Sequence, residues 1–203
     1  MTRLALLDYG MGNLRSVEKA LERAGADVDL VTTIDGIDSE GVVVPGQGAF
    51  GACRIGLERA DSVDALREWI LDDRPFLGIC LGLQILFEGS EEAAATEGLG
   101  LIPGIVRRLP DTVKVPHIGW NRVRFRAGVP AFAGIDDGTY FYFDHSYAPE
   151  AESQDAVAWT DHGVEFACGV ARGAMTAVQF HPEKSGEAGL GVLENFVKEC
   201  ASA

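Results

Sequence analysis

The chain is best understood from the segment Arg74-Pro-Phe-Leu-Gly-Ile-Cys80-Leu-Gly-Leu-Gln-Ile-Leu-Phe87. Its first half is a short apolar run after a proline, which is typical of a buried parallel strand. Its second half has Leu83, Leu86 and Phe87 at helical spacing, so we predict that a strand turns directly into a helix at Cys80. Gly78 and Gly82 flank the cysteine, and glycines let strand and helix approach closely around a sharply bent residue. The pattern therefore predicts a nucleophile elbow that holds the Cys80 thiol over the sheet.

A second segment, Met175-Thr-Ala-Val-Gln-Phe180, has the composition of a buried strand and is followed by His181-Pro-Glu183. In an extended chain this spacing puts His181 and Glu183 on one face, where the carboxylate can orient the imidazole. Each motif alone has an ordinary explanation, a buried cysteine at a strand end or a solvated turn. Together they supply a nucleophile, a base and an orienting group, and this combination favours nucleophilic catalysis.

Length and composition limit the class of protein. With 203 residues and 47% hydrophobic content, the chain can bury a substantial core, and we expect a single domain over residues 1–203. The formal net charge of −14 argues against nucleic acid or an anionic membrane as partner. Cys53, Cys80, Cys168 and Cys200 have neither disulfide-framework nor zinc-finger spacing, so we expect no metal and a reducing, cytoplasmic location. We also expect no export signal and no membrane span, because no suitable apolar stretch occurs.

Periodicity predicts a mixed α/β fold. A strand at 4–7, a helix at 14–24 with Asn13 as its N-cap, and a strand at 28–31 form a βαβ unit and hence a parallel sheet. A further strand lies at 41–45 and an amphipathic helix at 62–72. Residues 88–100 resemble a solvated loop, a frayed helix or a mobile flap.

The second half of the chain consists of short β-like segments with alternating polarity, at 105–109, 121–126, 140–143, 156–159 and 166–170. Such alternation indicates antiparallel strands with one solvated face, on which we place the arginines at 122, 124 and 126. A helix at 188–200 ends the pattern. We predict a flavodoxin-like, mostly parallel mixed sheet flanked by helices, with an antiparallel extension.

The elbow motif followed by His-Pro-Glu resembles the class I, or triad, glutamine amidotransferases. In that family a thiolate attacks the side-chain amide of glutamine, ammonia leaves, and water hydrolyses the remaining glutamyl thioester. The resemblance implies that Cys80, His181 and Glu183 form the triad and that no cofactor is needed. It assigns the oxyanion hole to Gly46 and Gly48 of the Pro-Gly-Gln-Gly loop, together with the backbone amide of Leu81. An ordinary strand-to-helix turn is the alternative for that loop.

Three further motifs are Asp8-Tyr-Gly-Met-Gly-Asn13, His117-Ile-Gly-Trp-Asn121 and His145-Ser-Tyr147. They resemble the glutaminase subunits of imidazole glycerol phosphate synthases, which form a heterodimer with a (β/α)₈-barrel cyclase and pass ammonia to it through a tunnel. The resemblance implies two groups of residues. Those that bind L-glutamine are Gln84, Ser146 and Tyr147, and those that face the cyclase are Asn13, Trp120, Asn121 and Lys184.

Other functions remain open at this point. A glutaminase serving pyridoxal phosphate synthesis has a similar size, triad and partner, although the His-Ile-Gly-Trp-Asn motif favours histidine biosynthesis. A stand-alone cysteine hydrolase or an inactive binding module would also fit the fold. For Trp120, the alternative to an interface role is a core aromatic. The loop at residues 10–13 lacks the third glycine of a dinucleotide-binding fingerprint, which argues against nucleotide binding.

Overall fold

The structure, a computed structural model, describes residues 1–202. The strands are β1 Thr2–Leu7, β2 Ala26–Val31, β3 Gly41–Gly46, β4 Phe76–Cys80, β5 Phe87–Ser90, β6 Ile102–Arg108, β7 His117–Phe125, β8 Thr139–His145, β9 Tyr147–Ala148, β10 Ala156–Asp161, β11 Glu165–Arg172 and β12 Met175–Val178. The helices are α1 Leu14–Arg23, α2 Phe50–Arg59, α3 Val63–Leu71, α4 Leu81–Gln84 and α5 Gly186–Cys200, with short 3₁₀ turns at Glu91–Ala93, Pro130–Phe132 and Pro182–Lys184. None of the helices in the described part of the chain is long and apolar enough to cross a membrane.

The strands within residues 1–202 form a nine-stranded sheet in the order β2-β1-β3-β4-β12-β11-β10-β7-β8 and a smaller sheet in the order β5-β6-β9. The pairings from β2 to β12 are parallel, and those from β12 to β8 are antiparallel. The predicted mixed sheet with an antiparallel extension is therefore confirmed. The parallel half brings the carboxyl ends of β1, β3, β4 and β12 to one edge, where open α/β sheets commonly bind ligands.

Apolar side chains cover both faces of the parallel half. Alternate residues of β1 belong to different clusters, because successive side chains of a strand point to opposite faces. Ala5 and Leu7 pack with residues of α2 and α3, whereas Leu4 and Leu6 pack with residues of α1 and α5. The antiparallel half has its own cluster, which includes Phe141, Phe143 and Phe180. This covering leaves the strand ends as the accessible part of the parallel half.

Most predicted elements are present. The βαβ unit is β1-α1-β2, the two predicted amphipathic helices are α3 and α5, and all five alternating segments are strands. Arg122, Arg124 and Arg126 are exposed, as predicted for a solvated face. Asn13 immediately precedes α1, as predicted, but its side chain makes no capping hydrogen bond.

Two predictions around the elbow are wrong. The helix after Cys80 ends at Gln84, and Phe87 instead begins β5, where it pairs with Ile102. Leu83, Leu86 and Phe87 are all buried, so their spacing does not distinguish a helix from a strand. Residues 88–100 are not simply a solvated loop, because they include the end of β5, a 3₁₀ turn and the fully buried Leu99, whose amide donates to the Ile85 carbonyl.

Substituting Gly82 tests whether the elbow depends on close backbone approach. A Cβ on Gly82 would collide with the Val44 carbonyl oxygen on β3. We expect Gly82→Ala to lower the free energy of unfolding by about 1–3 kcal/mol, as overpacking does, and to displace Cys80. Gly191→Ala in α5 is the matched control, because its Cβ would meet only ordinary contacts with Ile135. Equal denaturant midpoints for the two variants would contradict the steric explanation.

Candidate active site

The carboxyl ends of β3 and β4 lie at a cavity of about 430 Å³. Its lining comes from several separate segments: Gln47, Gly48, Cys80, Leu81, Gln84, Glu92, Pro116, Asp144, His145, Ser146 and Tyr147. The cavity therefore collects the elbow, the Pro-Gly-Gln-Gly loop and the His-Ser-Tyr segment, which lie far apart in the sequence.

Cys80 has the backbone geometry of a strained elbow. Its φ of 57° and ψ of −103° lie where non-glycine residues rarely occur. A Cβ on Gly78 would collide with the Gly82 carbonyl and a Cβ on Gly82 with the Val44 carbonyl, which explains why both positions are glycine. The strand end and the first turn of α4 thus present the sulfur to the cavity, where the side-chain amide of Gln179 donates to it at 3.5 Å.

His181 and Glu183 form a buried pair. Glu183 Oε1 accepts from His181 Nδ1 at 2.8 Å, so the Nδ1 proton is fixed and Nε2 remains for the chemistry. The predicted contact is present, but not in the predicted extended chain, because Pro182–Lys184 form a 3₁₀ turn that begins at the proline. Within residues 1–202, neither His181 Nε2 nor Glu183 Oε2 has a hydrogen-bond partner, although both atoms are buried.

The charge state of His181 depends on its neighbours. Burial disfavours the imidazolium and by itself lowers the pKa of His181. The neighbouring Cys80 and Glu183 side chains outweigh burial, and the pKa of His181 is raised to about 9. At neutral pH the imidazolium form of His181 is therefore favoured, and it holds a proton that it can transfer.

The Pro-Gly-Gln-Gly loop lies against the elbow. A Cβ on Gly46 would lie 2.5 Å from Leu81 Cβ, so any side chain there would separate loop and elbow. Gly48 has a φ of 112°, which favours glycine. The Tyr9 hydroxyl donates to the Pro45 carbonyl at 2.6 Å and anchors the strand end that precedes the loop. Gly46 thus lies against Leu81 and pairs with Cys80, and Gly48 lines the same cavity as these two residues.

Gln84 is buried and lines the cavity. Its Nε2 donates to the Tyr147 carbonyl at 3.0 Å and to Gln179 Oε1 at 3.1 Å. Because both amide hydrogens are used, the Gln84 carbonyl oxygen is the group left to accept a hydrogen bond from a ligand. Ser146 and Tyr147 line the same cavity. The three residues predicted to bind glutamine therefore surround one space.

The four residues predicted to face a partner lie outside the cavity lining. Trp120 is 55% exposed on β7, so it is not a core aromatic. Its ring meets Tyr142 edge-on, and Lys184 Nζ lies 5.7 Å from the centre of the same Tyr142 ring. Asn13 is exposed in the loop after β1, and the side chain of Asn121 bonds the Asp161 carbonyl. Trp120 and Lys184 thus share a surface that adjoins the triad, since the His181 amide donates to the Tyr142 carbonyl.

Sequence reasoning missed three residues of the site. Gln179 is a fully buried polar residue directly after the apolar strand β12, two positions before His181, and a polar residue in this apolar segment was a usable signal. Glu92 lines the cavity and accepts from the Phe50 amide at the start of α2, but its acidic segment gives no such indication. The His145 side chain lines the cavity as well, and nothing in the sequence assigns it a role.

A thiol on a strained elbow, paired with a His–Glu couple at the carboxyl edge of a mixed sheet, is the arrangement of a triad amidotransferase. The glutamine amidotransferase class-I family model matches residues 5–200. The chain belongs to this family.

Its relatives include the protein named imidazole glycerol phosphate synthase subunit HisH of Moorella thermoacetica. That protein is 48% identical over 198 residues, which cover 97% of this chain and 94% of the relative. The protein of the same name from Nocardia farcinica is 47% identical over 209 residues, which cover 97% of this chain and 99% of the relative. The resemblance stated from the sequence is thus confirmed.

Solved structures agree on the fold. A crystal structure of a glutamine amidotransferase superposes with a TM-score of 0.74 at 18% identity, covering 98% of both chains. The structure of PurLQS from Thermotoga maritima superposes with a TM-score of 0.75 at 21% identity, covering 98% of this chain and 99% of that one. At these identities the likeness concerns the fold alone.

Proposed function

We propose that this chain is the glutaminase subunit of an imidazole glycerol phosphate synthase and hydrolyses L-glutamine to glutamate and ammonia. The observation that carries the proposal is the buried His181–Glu183 pair next to Cys80, which itself lines the cavity. The name shared by the relatives supports the choice of synthase. The chain would act as one amidotransferase domain in the cytoplasm, without a cofactor.

In the first half of the reaction, the Cys80 thiolate attacks the side-chain amide carbon of glutamine. The tetrahedral intermediate carries an oxyanion, which the backbone amides of the Gly46–Gly48 loop and of Leu81 are suited to stabilise, each by about 3–4 kcal/mol. His181 Nε2 then gives its proton to the leaving nitrogen. The carbon–nitrogen bond breaks, ammonia departs, and a glutamyl thioester remains on Cys80.

In the second half, His181 removes a proton from water, and the hydroxide attacks the thioester carbon. The carbon–sulfur bond breaks, so glutamate leaves and the thiolate and imidazolium are restored. The Glu183 carboxylate keeps the imidazole in one tautomer throughout. The Gln84 carbonyl oxygen is suited to accept from the α-ammonium group of the substrate, beside the backbone of Ser146 and Tyr147.

The ammonia would pass through a tunnel to a (β/α)₈-barrel cyclase, which makes imidazole glycerol phosphate and an aminoimidazole carboxamide ribonucleotide in histidine biosynthesis. The surface of β7 and β8 is the proposed contact, because Ile118, Trp120 and Tyr140 are large, apolar and exposed there. Exposed apolar residues in one patch favour protein–protein contact. Asn13, Asn121 and Lys184 would complete this surface.

Comparing the lone subunit with the complex tests the proposal. We expect slow glutamate release from the isolated chain. A cyclase subunit and its ribonucleotide should increase the rate by about 10²–10³-fold, because one oxyanion-hole donor contributes a factor of this size. Glutamate and ammonia are measured with and without each component. Full activity in the lone chain, unchanged by any barrel partner, would leave a stand-alone hydrolase. Stimulation only by a pyridoxal phosphate synthase would show that the chain serves pyridoxal phosphate synthesis instead of histidine biosynthesis.

Two surface variants accompany that experiment. Trp120→Ala and Lys184→Ala are expected to reduce stimulation or ammonia transfer, while Cys80 remains open to alkylation. Leu71→Ala is the control, because Leu71 is also exposed and apolar but lies at the end of α3. Equal stimulation of all three variants would show that Trp120 and Lys184 are not part of the interface.

A further inference from the structure

A continuous line of hydrogen bonds joins the surface of β7 to the nucleophile. Its members are Asn121, His117, His145, the Tyr147 carbonyl, Gln84 and Gln179, and it ends at Cys80 Sγ. The outer part comprises Asn121 Nδ2 to His117 Nε2 at 3.2 Å, His117 Nδ1 to His145 Nε2 at 3.0 Å, and His145 Nδ1 to the Tyr147 carbonyl at 2.9 Å. From that carbonyl, Gln84 and Gln179 continue to the sulfur. We call this line the polar chain.

The direction of every proton in the outer part is determined. A carbonyl oxygen can only accept, so His145 Nδ1 carries its hydrogen and His145 Nε2 must accept. His117 Nδ1 therefore donates, and His117 Nε2 accepts from the amide of Asn121. Protonation of either ring would set two donors against each other. Each histidine has to be neutral for the polar chain to exist.

The surroundings keep both rings neutral. His145 and His117 are 6% and 4% exposed. Burial, followed by the charge of the neighbouring histidine, lowers the pKa of His145 to about 3. Burial, followed by the charge of His162, lowers the pKa of His117 to about 4. At neutral pH the rings therefore serve as fixed donors and acceptors rather than as acids.

The Tyr147 carbonyl is where the two parts of the polar chain meet. It accepts from His145 Nδ1 and from Gln84 Nε2, so its position controls the rotation of the Gln84 amide. That rotation decides whether the oxygen or the nitrogen of Gln84 faces the cavity. A nitrogen there would repel a substrate ammonium group, because both would be donors.

We propose that His145 is a positioning residue for the glutamine substrate, held in its required tautomer by His117, and that it acts by fixing the Tyr147 carbonyl and thereby the Gln84 amide. This inference rests on the proposed glutaminase function. Gln84 binds a part of the substrate that does not react. Loss of its orientation therefore weakens the binding of the ground state and of the transition state alike. Such uniform loss raises KM and leaves kcat little changed.

Two substitutions at position 145 separate positioning from packing. The asparagine side-chain nitrogen occupies the place of histidine Nδ1, so His145→Asn keeps the donor to Tyr147. The glutamine side chain ends at the place of Nε2, so His145→Gln keeps the contact with His117 and loses that donor. Gln is the larger residue and fills the buried site better. A packing role therefore makes His145→Asn the worse variant, and a positioning role makes His145→Gln the worse one.

The variants are assayed for glutamate release in complex with the cyclase and its ribonucleotide. We expect His145→Gln to raise KM for glutamine about tenfold, because one buried hydrogen bond is lost, and to keep kcat within about threefold of the parent value. His145→Asn should raise KM distinctly less. His162→Gln is the control, because His162 stacks on His117 at 4.2 Å but bonds no member of the polar chain.

Three outcomes overturn the inference: the reverse ranking, equal KM values for the two variants, or a loss confined to kcat. Thermal unfolding identifies a variant that fails to fold, and His117→Asn against His117→Gln then repeats the comparison one step along the polar chain. A wild-type complex that releases no glutamate would instead refute the proposed function, so the two failures are distinguishable.

Discussion

The Cys80→Ser variant is expected to lose glutamine hydrolysis, by at least about 10³-fold, while folding as the parent chain does. Sulfur and oxygen differ little in size, so the elbow and the bond from Gln179 tolerate the exchange. A serine hydroxyl ionises far less readily than a thiol and is therefore a much weaker nucleophile here. The measurement is glutamate release from the assembled complex, with circular dichroism as the check of folding.

The other cysteines provide the controls. Burial is the main cause that raises the pKa of Cys53 and of Cys200 to about 12, and it raises the pKa of Cys168 as well. These thiols stay protonated, so a glutamine-derived electrophile should label Cys80 alone among the four cysteines. Cys53→Ser, Cys168→Ser and Cys200→Ser should retain activity despite some loss of stability. An active Cys80→Ser enzyme, or an adduct mapped to another cysteine, would refute the assignment.

The elbow could be predicted because its cause is local. A Cβ on Gly78 would collide with backbone four residues away, and a Cβ on Gly82 would collide with backbone of the adjacent strand β3, so the sequence has glycine on both sides of Cys80. The His181–Glu183 contact could also be predicted, although on a different backbone. Side chains two positions apart also meet when a proline between them starts a 3₁₀ turn, so the spacing identifies the pair but not the conformation.

The polar chain could not be predicted in the same way. Its members come from α4, β7, β8, the start of β9 and the residue after β12, and it ends at Cys80 of β4. Each bond depends on which way an amide or an imidazole is turned. Neither the meeting of distant elements nor the orientation of an amide or imidazole leaves a periodic or compositional signal in the sequence. The buried Gln179 is the exception, since a polar side chain in an apolar segment requires a partner to offset its desolvation.

The end of the elbow helix shows why short elements are hard to assign. Ile85, Leu86 and Phe87 are all buried, and an entirely apolar run fits a helix as well as a strand. What ends α4 is distant in sequence: the amides of Leu101 and Ile102 donate to the Leu86 carbonyl and draw the chain into the small sheet. As a consequence, Cys80 precedes only a single helical turn.

Replacing the base should cost more than replacing its orienting group. His181→Ala removes the atom that carries the proton, so we expect kcat to fall by about 10²–10⁴-fold, the usual contribution of general acid–base catalysis. Glu183→Gln retains an oxygen that can accept from His181 Nδ1, which preserves the tautomer. It removes the negative charge that helps to raise the pKa of His181, so less imidazolium is available to protonate the leaving nitrogen. We expect a smaller fall, of about 10–10²-fold.

Single-turnover glutamate formation in the complex compares the two variants, and its pH dependence adds a second readout. In Glu183→Gln the lowered pKa of His181 should move the alkaline limb of the profile to lower pH, because the imidazolium that acts as the acid is lost earlier as pH rises. His181→Ala should have no such limb. A His181→Ala enzyme as fast as the parent would mean that another residue is the base. A Glu183→Gln enzyme with an unchanged alkaline limb would mean that the carboxylate positions the ring without contributing its charge.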